Sequence, residues 1–262
     1  MSYPDLRITF LGTGTSTGVP MIACPCEVCT SDDPHDKRFR SSILVQSAQT
    51  TLVVDTTPDF RSQMLREHVN HLDAVLFTHS HKDHIAGMDD VKAFCFFQGV
   101  PMKVFATEAT QRELRREFMY IFAAEKYPGI PDIDMDTISD YPFRVGDIDV
   151  IPIHVHHLHM PVMAFRFGDF TYITDANRID DKEKEKIAGS KILVVNALRK
   201  KPHLSHFTLQ QAIDLVTELK VPEAYFTHIS HQLGRHADIS GELPPGIHLA
   251  YDGLKLSIAG RP

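Results

Sequence analysis

Thr78-His79-Ser80-His81-Lys82-Asp83-His84 sets three imidazoles and one carboxylate in the order His-x-His-x-Asp-His. The run follows Asp73-Ala74-Val75-Leu76-Phe77, which reads as a strand. The cluster therefore begins at a strand end, where binding loops usually sit. Imidazole suits zinc, iron, manganese or copper, and carboxylate adds affinity for hard cations. His79 and His81 can converge on one ion, and Asp83 and His84 on a second. An Asp held between ligand histidines thus points to two adjacent metal sites rather than one. The bland alternative is a histidine-rich surface loop, and the long ordered spacing argues against it.

A two-ion site needs further ligands, and other strand ends offer them. Asp175 follows Tyr172-Ile173-Thr174 and has two oxygens with which to bridge a pair of ions; a turn residue before Ala176-Asn177 is the alternative. His228 and His231 lie together in Phe226-Thr227-His228-Ile229-Ser230-His231. In His154-Val155-His156-His157-Leu158-His159, strand alternation sends His154 and His156 to one face and His157 to the other. One ligand from this stretch is the economical reading. His203 and His206 precede a helix start, where an imidazole has a fixed position and can donate to an anion or leaving group.

Cys24-Pro25-Cys26-Glu27-Val28-Cys29 supplies three thiolates. Structural zinc takes four tetrahedral ligands. Cys95 falls on an apolar helical face and reads as a small hydrophobe, so the fourth ligand is assigned to His231. Gly12-Thr13-Gly14-Thr15-Ser16-Thr17-Gly18 matches neither a P-loop nor a dinucleotide fingerprint. It reads as a flexible loop beside the active site.

The chain has 262 residues, 43% hydrophobic and 23% charged, within the range of a globular protein. The net charge of −7 argues against non-specific binding of a large polyanion, so large nucleic acid is not an expected partner. No apolar stretch reaches membrane-span length, and no membrane partner is expected. Met1-Ser2-Tyr3-Pro4-Asp5 lacks a basic start and apolar core, so a cytoplasmic location is the expectation.

Strands are expected at residues 6–11, 43–46, 51–54, 75–77 and 103–106, and again at 148–155, 162–167, 170–174, 191–195, 224–227, 247–250 and 254–258. Thr57 and Pro58 read as a helix start. The helix after the histidine cluster is expected to turn Met88, Val91, Phe94, Cys95 and Phe97 inward. Thr107 caps a helix running to about Phe122, and Thr208 to Gln211 forms a capping box. Two β-rich halves with helices outside follow from this order.

With these residues in order, the chain resembles the metallo-β-lactamase superfamily. Leu11-Gly12-Thr13-Gly14, the histidine cluster, Ile173-Thr174-Asp175 and Thr227-His228 carry the resemblance. Within the superfamily it is similar to PhnP-type phosphodiesterases, relatives of tRNase Z, through the three-cysteine run and Thr227-His228-Ile229-Ser230-His231-Gln232. The resemblance implies an α+β fold, a four-layer αββα sandwich, as a single domain over residues 1–262 with a zinc-binding loop at about 20–40. It implies that His79, His81, His157 and Asp175 hold one metal, and Asp83, His84, Asp175 and His228 the other. Zinc, manganese or iron would fill these two sites. A structural zinc would sit on Cys24, Cys26, Cys29 and His231. His206 and Asp83 would be catalytic, and Asp55 would orient ligands. Met160, Ala164 and Thr57 stand where the family often has Leu, Gly and Gly.

The implied activity is hydrolysis of small phosphodiesters, of cyclic-nucleotide or ribosyl cyclic phosphate type. A hydroxide held by both metals would attack, with His206 as general acid. The alternatives are a tRNase Z-like RNA 3′-processing endonuclease, a hydrolase of amides, thioesters or lactams, and a metal-dependent binding or regulatory protein. A homodimer is an expectation that rests on the resemblance alone.

Overall fold

The structure, a computed structural model, describes residues 3–125 and 127–261. Met1 and Ser2, the first two residues of the N-terminal stretch read above, lie outside them. The chain builds strands β1 (Leu6–Gly12), β2 (Ser42–Gln46), β3 (Thr51–Val54), β4 (Ala74–Leu76), β5 (Met102–Ala106) and β6 (Ile133–Thr137) into one sheet. It then builds β7 (Phe143–Val145), β8 (Ile148–His157), β9 (Met160–Phe167), β10 (Phe170–Tyr172), β11 (Ile192–Asn196), β12 (Glu223–Thr227) and β13 (Ile247–Leu249) into a second. The last strand, β14 (Lys255–Ile258), returns to pair with β1. The helices are α1 (Phe60–Arg66), α2 (Lys82–Ile85), α3 (Lys92–Gln98), α4 (Glu108–Glu117), α5 (Asp181–Ile187), α6 (Leu209–Leu219) and α7 (His236–Glu242).

Three apolar layers make this a four-layer αββα sandwich. Period-two alternation feeds each sheet into two of them. On β3, Leu52 and Val54 enter the layer between the sheets, while Val53 faces the layer shared with α1 and α3. On β11, Ile192 and Val194 face between the sheets, while Leu193 and Val195 meet α6. The inter-sheet layer also holds Phe10, Phe165, Phe167, Phe170 and Tyr172, all fully buried. Burying each contributes about 1.5–3 kcal/mol, so this layer is the main bond between the halves.

Strand direction decides where the chemistry collects. β3 and β4 are parallel, as are β10, β11 and β12. Their C-terminal ends therefore share one edge, and Asp55, the histidine cluster, Asp175 and His228 all follow such ends. Backbone bonds join the sheets there: Met163 N donates to Thr78 O at 2.9 Å, and Ile229 N to Thr13 O at 2.9 Å. The glycine-rich stretch at 12–18 belongs to this seam. It is not the flexible loop expected from its composition. Gly12, Thr13, Gly14 and Thr15 are buried, and a Cβ on Gly12 would lie 1.9 Å from Arg40 O.

Three local features differ from the pattern expected of the sequence. The first helix starts at Phe60 with Asp59 at its cap position. Thr57 Oγ1 instead accepts from Asp59 N and donates to Gln63 Oε1. Phe97, expected inside, is 83% exposed, because the segment after the cluster is broken into α2, a 3₁₀ turn and α3 and so changes face. The Thr107-capped helix stops at Glu117, short of Phe122. Strands β6 and β7 lie outside the expected set; in β6, Ile133 and Met135 do alternate with Asp134 and Asp136, but aspartate is depleted in strands and the run is short. Among the described residues, no helix is long and apolar enough to cross a membrane.

Candidate metal centre

Asp175 lies at the middle of the histidines. Its Oδ1 is 3.4 Å from His84 Nε2 and 3.1 Å from His228 Nδ1. Its Oδ2 is 3.9 Å from His79 Nε2 and 3.3 Å from His206 Nε2. Asp83 Oδ2 lies 3.2 Å from His84 Nε2. The donor atoms form three overlapping groups, Asp83–His84–Asp175–His228, His79–His81–Asp175 and His157–Asp175–His206, each within 4.8 Å. Atoms about 2.1 Å from a common ion stand about 3.0–3.4 Å apart at octahedral to tetrahedral angles. The Asp83, His84, Asp175 and His228 spacings match that range.

Asp55 sets the tautomers. The residue is fully buried. Its Oδ2 receives His84 Nδ1 at 2.7 Å and Thr78 Oγ1 at 2.8 Å, and its Oδ1 receives Thr78 N at 2.8 Å. Because Thr78 Oγ1 spends its proton on Asp55, it accepts from His79 Nδ1, 2.9 Å away. One carboxylate thus keeps protons on Nδ1 of both His84 and His79, leaving their Nε2 lone pairs toward the cluster. His157 Nδ1 donates to Ser205 O at 2.8 Å, with the same consequence. Among the described residues, His79 Nε2, His84 Nε2 and His228 Nδ1 are buried without a hydrogen-bond partner. Orphaned lone pairs of this kind fit metal ligation.

The electrostatics agree. Burial lowers the His79 pKa well below the ordinary imidazole value and that of His228 to about 3, keeping both neutral as ligation requires. Burial pushes the Asp175 carboxyl up, but the His228 and His84 rings facing it outweigh burial and bring it well below the ordinary carboxylate value. Burial pulls the His84 pKa down, yet Asp83, Asp175 and Asp55 raise it well above normal. The three carboxylates around His84 therefore favour positive charge there, which a divalent ion would supply.

Three backbone conformations belong to the site. Asp55, His228 and Leu158 have φ of 67°, 55° and 59°. Left-handed non-glycine residues carry about 1–3 kcal/mol of strain each and cluster where function requires them.

The cysteine group converges separately. Cys24 Sγ and Cys26 Sγ lie 3.4 and 3.3 Å from His231 Nδ1, and Cys29 completes the set. Sulfur and nitrogen on one tetrahedral zinc stand about 3.6 Å apart. The His231 contact draws the Cys26 thiol down to about 6, toward the thiolate a metal needs.

The remaining histidines sort themselves. His156 Nε2 turns away to Asp180 at 2.8 Å and His154 Nε2 to Asp140 at 2.6 Å, while His159 is exposed. His157 alone of that run faces the cluster. His206 stacks on His228 with ring centroids 4.8 Å apart. Its Nδ1 faces Ser205 Oγ at 3.1 Å and His203 Nδ1 at 3.3 Å. The sequence reading missed Thr78 as the tautomer relay; only its place beside Asp55 reveals it.

The β-lactamase superfamily domain pattern matches residues 50–229. A solved diphosphatase from the PhnP family is 41% identical, with a TM-score of 0.91 over 97% of each chain. Human tRNase Z, short form, is 15% identical with a TM-score of 0.69 over 96% of this chain and 99% of that one, a likeness of fold alone. An octanoyltransferase of Porphyromonas gingivalis is 38% identical over 256 residues, covering 97% of this chain and 52% of that protein. The chain spans about half the length of the curated relatives it matches. With the αββα sandwich and this donor set, the chain belongs to the metallo-β-lactamase superfamily and, within it, to the PhnP family.

Proposed function

We propose that the chain is a phosphodiesterase acting on small substrates of cyclic-nucleotide or ribosyl cyclic phosphate type. The carrying observation is Asp175, which turns one oxygen to each histidine group and has His206 beside the second. In this reading His79, His81, His157 and Asp175 hold one divalent ion, and Asp83, His84, Asp175 and His228 the other. Zinc, manganese and iron suit these donors. Cys24, Cys26, Cys29 and His231 hold a structural zinc. When bound, the ion pair lowers the pKa of water and neutralises phosphoryl oxygens.

The chain's own residues do the rest. Asp55, through Thr78, keeps the His79 and His84 lone pairs aimed inward. His206 Nε2, at the rim of the group, donates a proton to the departing oxygen, a role worth about 10²–10⁴ in rate. Asp83, whose Oδ2 lies 3.2 Å from His84 Nε2, orients the attacking water.

One other bond has support. The 41% identical relative is a diphosphatase, and a phosphoanhydride presents the same phosphorus with a different leaving oxygen. Acyl transfer, the activity in the octanoyltransferase's name, belongs to a protein about twice as long. RNA processing is disfavoured by the −7 net charge. The test is turnover by metal-reconstituted protein of a 2′,3′-cyclic nucleotide, a dinucleoside diphosphate, an octanoyl thioester and precursor tRNA. Turnover of the cyclic nucleotide, with a large kcat loss and intact metal content in His206→Ala, is expected. Turnover of the thioester or precursor tRNA alone would refute the proposal.

A further inference from the structure

Asn177 stands two residues past Asp175, and its two side-chain hydrogen bonds go to backbone groups outside the donor set. Its Oδ1 accepts from Leu158 N at 2.9 Å, and its Nδ2 donates to Leu204 O at 3.0 Å. Leu158 directly follows His157, and Leu204 lies two residues before His206. One carboxamide therefore ties the turn carrying His157 to the loop carrying His206, and anchors both to the strand end carrying Asp175. Its own backbone is fixed as well: Asn177 N donates to His156 O at 2.8 Å, and buried Asn196 exchanges two bonds with neighbouring Ala176.

The loop depends on such ties. Phe207 O accepts from Leu198 N, and Arg199 O from Leu209 N, closing its base. Arg199 donates to Lys201 O and Pro202 O inside it. Leu204 O goes to Asn177 and Ser205 O to His157. Among the described residues, two side chains join the loop to the turn at 157–158, Asn177 through Leu204 O and His157 through Ser205 O, and Phe207 N also donates to Ala176 O. Of the two side chains, Asn177 alone reaches both segments from the strand end that carries Asp175. Leu158 also holds a φ of 59°, which a non-glycine residue keeps only where its surroundings over-determine it. Asparagine suits the place because its amide donates and accepts at once; aspartate only accepts.

We propose that Asn177 is a positioning residue that sets the place of His206 relative to Asp175. The inference rests on His206 acting as the general acid. The test compares wild type, Asn177→Ala, Asn177→Asp, His206→Ala and the double variant Asn177→Ala/His206→Ala, all metal-reconstituted. The substrates are a 2′,3′-cyclic nucleotide, whose sugar oxygen needs a proton to leave, and bis(p-nitrophenyl) phosphate, whose leaving group does not.

Displacement by about 1 Å can lower a rate about 10²-fold, so Asn177→Ala is expected to lower kcat on the cyclic nucleotide by about ten- to a hundredfold. Metal content and turnover of the nitrophenyl ester fall far less than turnover of the cyclic nucleotide, because His157 keeps its own bond to Ser205 O. Asn177→Asp, which keeps only the Leu158 bond, behaves like Asn177→Ala. In the His206→Ala background the substitution adds no further loss. Equal losses on both substrates, full additivity with His206→Ala, or no loss in Asn177→Ala each overturn the proposal. If His206→Ala itself spares the cyclic nucleotide, the general-acid reading falls, and that is visible without any Asn177 variant. A readout independent of turnover is histidine NMR: Asn177→Ala should shift the His206 ring signals and leave those of His84 in place. Unmoved His206 signals overturn the inference.

Discussion

Asp55→Asn keeps the shape of the side chain and changes one oxygen into an NH₂ group. In the native site Oδ1 accepts from Thr78 N, and Oδ2 from Thr78 Oγ1 and His84 Nδ1. If the new nitrogen takes the Oδ2 place, it faces two donors; if it takes the Oδ1 place, it faces one. Either way a dry pocket gains unsatisfied donors, at about 1–3 kcal/mol each. A total near 2–5 kcal/mol follows, and each kcal/mol moves Tm by about 2–4 °C in a chain of this size, so Tm should fall by roughly 5–15 °C. The same change loosens the His84 and His79 tautomers, and loss of such a partner weakens metal affinity about 10–100-fold. Thermal unfolding of metal-stripped and metal-loaded protein measures the first effect. Competition with a chromophoric chelator measures the second. Thr78→Val, which removes the hydroxyl relay but keeps Thr78 N–H, should show a smaller fall in Tm and weaken affinity mainly through His79. Unchanged Tm and affinity in Asp55→Asn would refute the reading of Asp55 as the acceptor that orders the site.

Other outcomes follow from the same structure. Cys26→Ser should remove about one metal per chain by elemental analysis, because tetrahedral zinc needs all four donors; full retention would count against a Cys24–Cys26–Cys29–His231 site. Gly12→Ala should destabilise by about 1–3 kcal/mol or more in urea unfolding, because overpacking against a backbone carbonyl forces a shift; a neutral result would mean that the seam yields. Burial lowers the His236 pKa from 6.5 to about 4, with Arg38 and His35 adding to the effect. The unfolded chain then takes up a proton that the folded chain refuses, so stability is present above 6.5 and lost as pH falls toward 4. The drop in urea midpoint between pH 7 and pH 5 should be smaller in His236→Gln, and an equal drop would sink the assignment.

Much of the site was legible because its donor types are rare and locally spaced. The run from His79 to His84 names four donors without reference to any partner, and the three cysteines name three more. Strand alternation was also legible, since period two is a property of neighbouring residues; it divided His154 and His156 from His157 before any fold was known. The failures were local as well. Thr57 and Pro58 carry an ordinary helix-start signal, but the Thr57 hydroxyl is taken by Gln63 and the helix begins later. Phe97 fits an inward stripe only if one helix runs unbroken, and it does not.

By itself, the sequence determined the inventory: which residues can bind metal, which runs alternate as strands, and hence the superfamily. The tertiary structure decided the uses. It made His157 a member of the cluster by turning its ring inward while His156 met Asp180. It gave Asp175 two different faces, made Thr78 a relay, converted a glycine-rich stretch into a seam, and set Asn177 between two loops. The physical reason is distance along the chain. Periodicity and spacing act over a few residues, whereas a donor's tautomer, its orphaned lone pair and its left-handed backbone are set by groups that meet only when parallel strands from both sheets end at one edge.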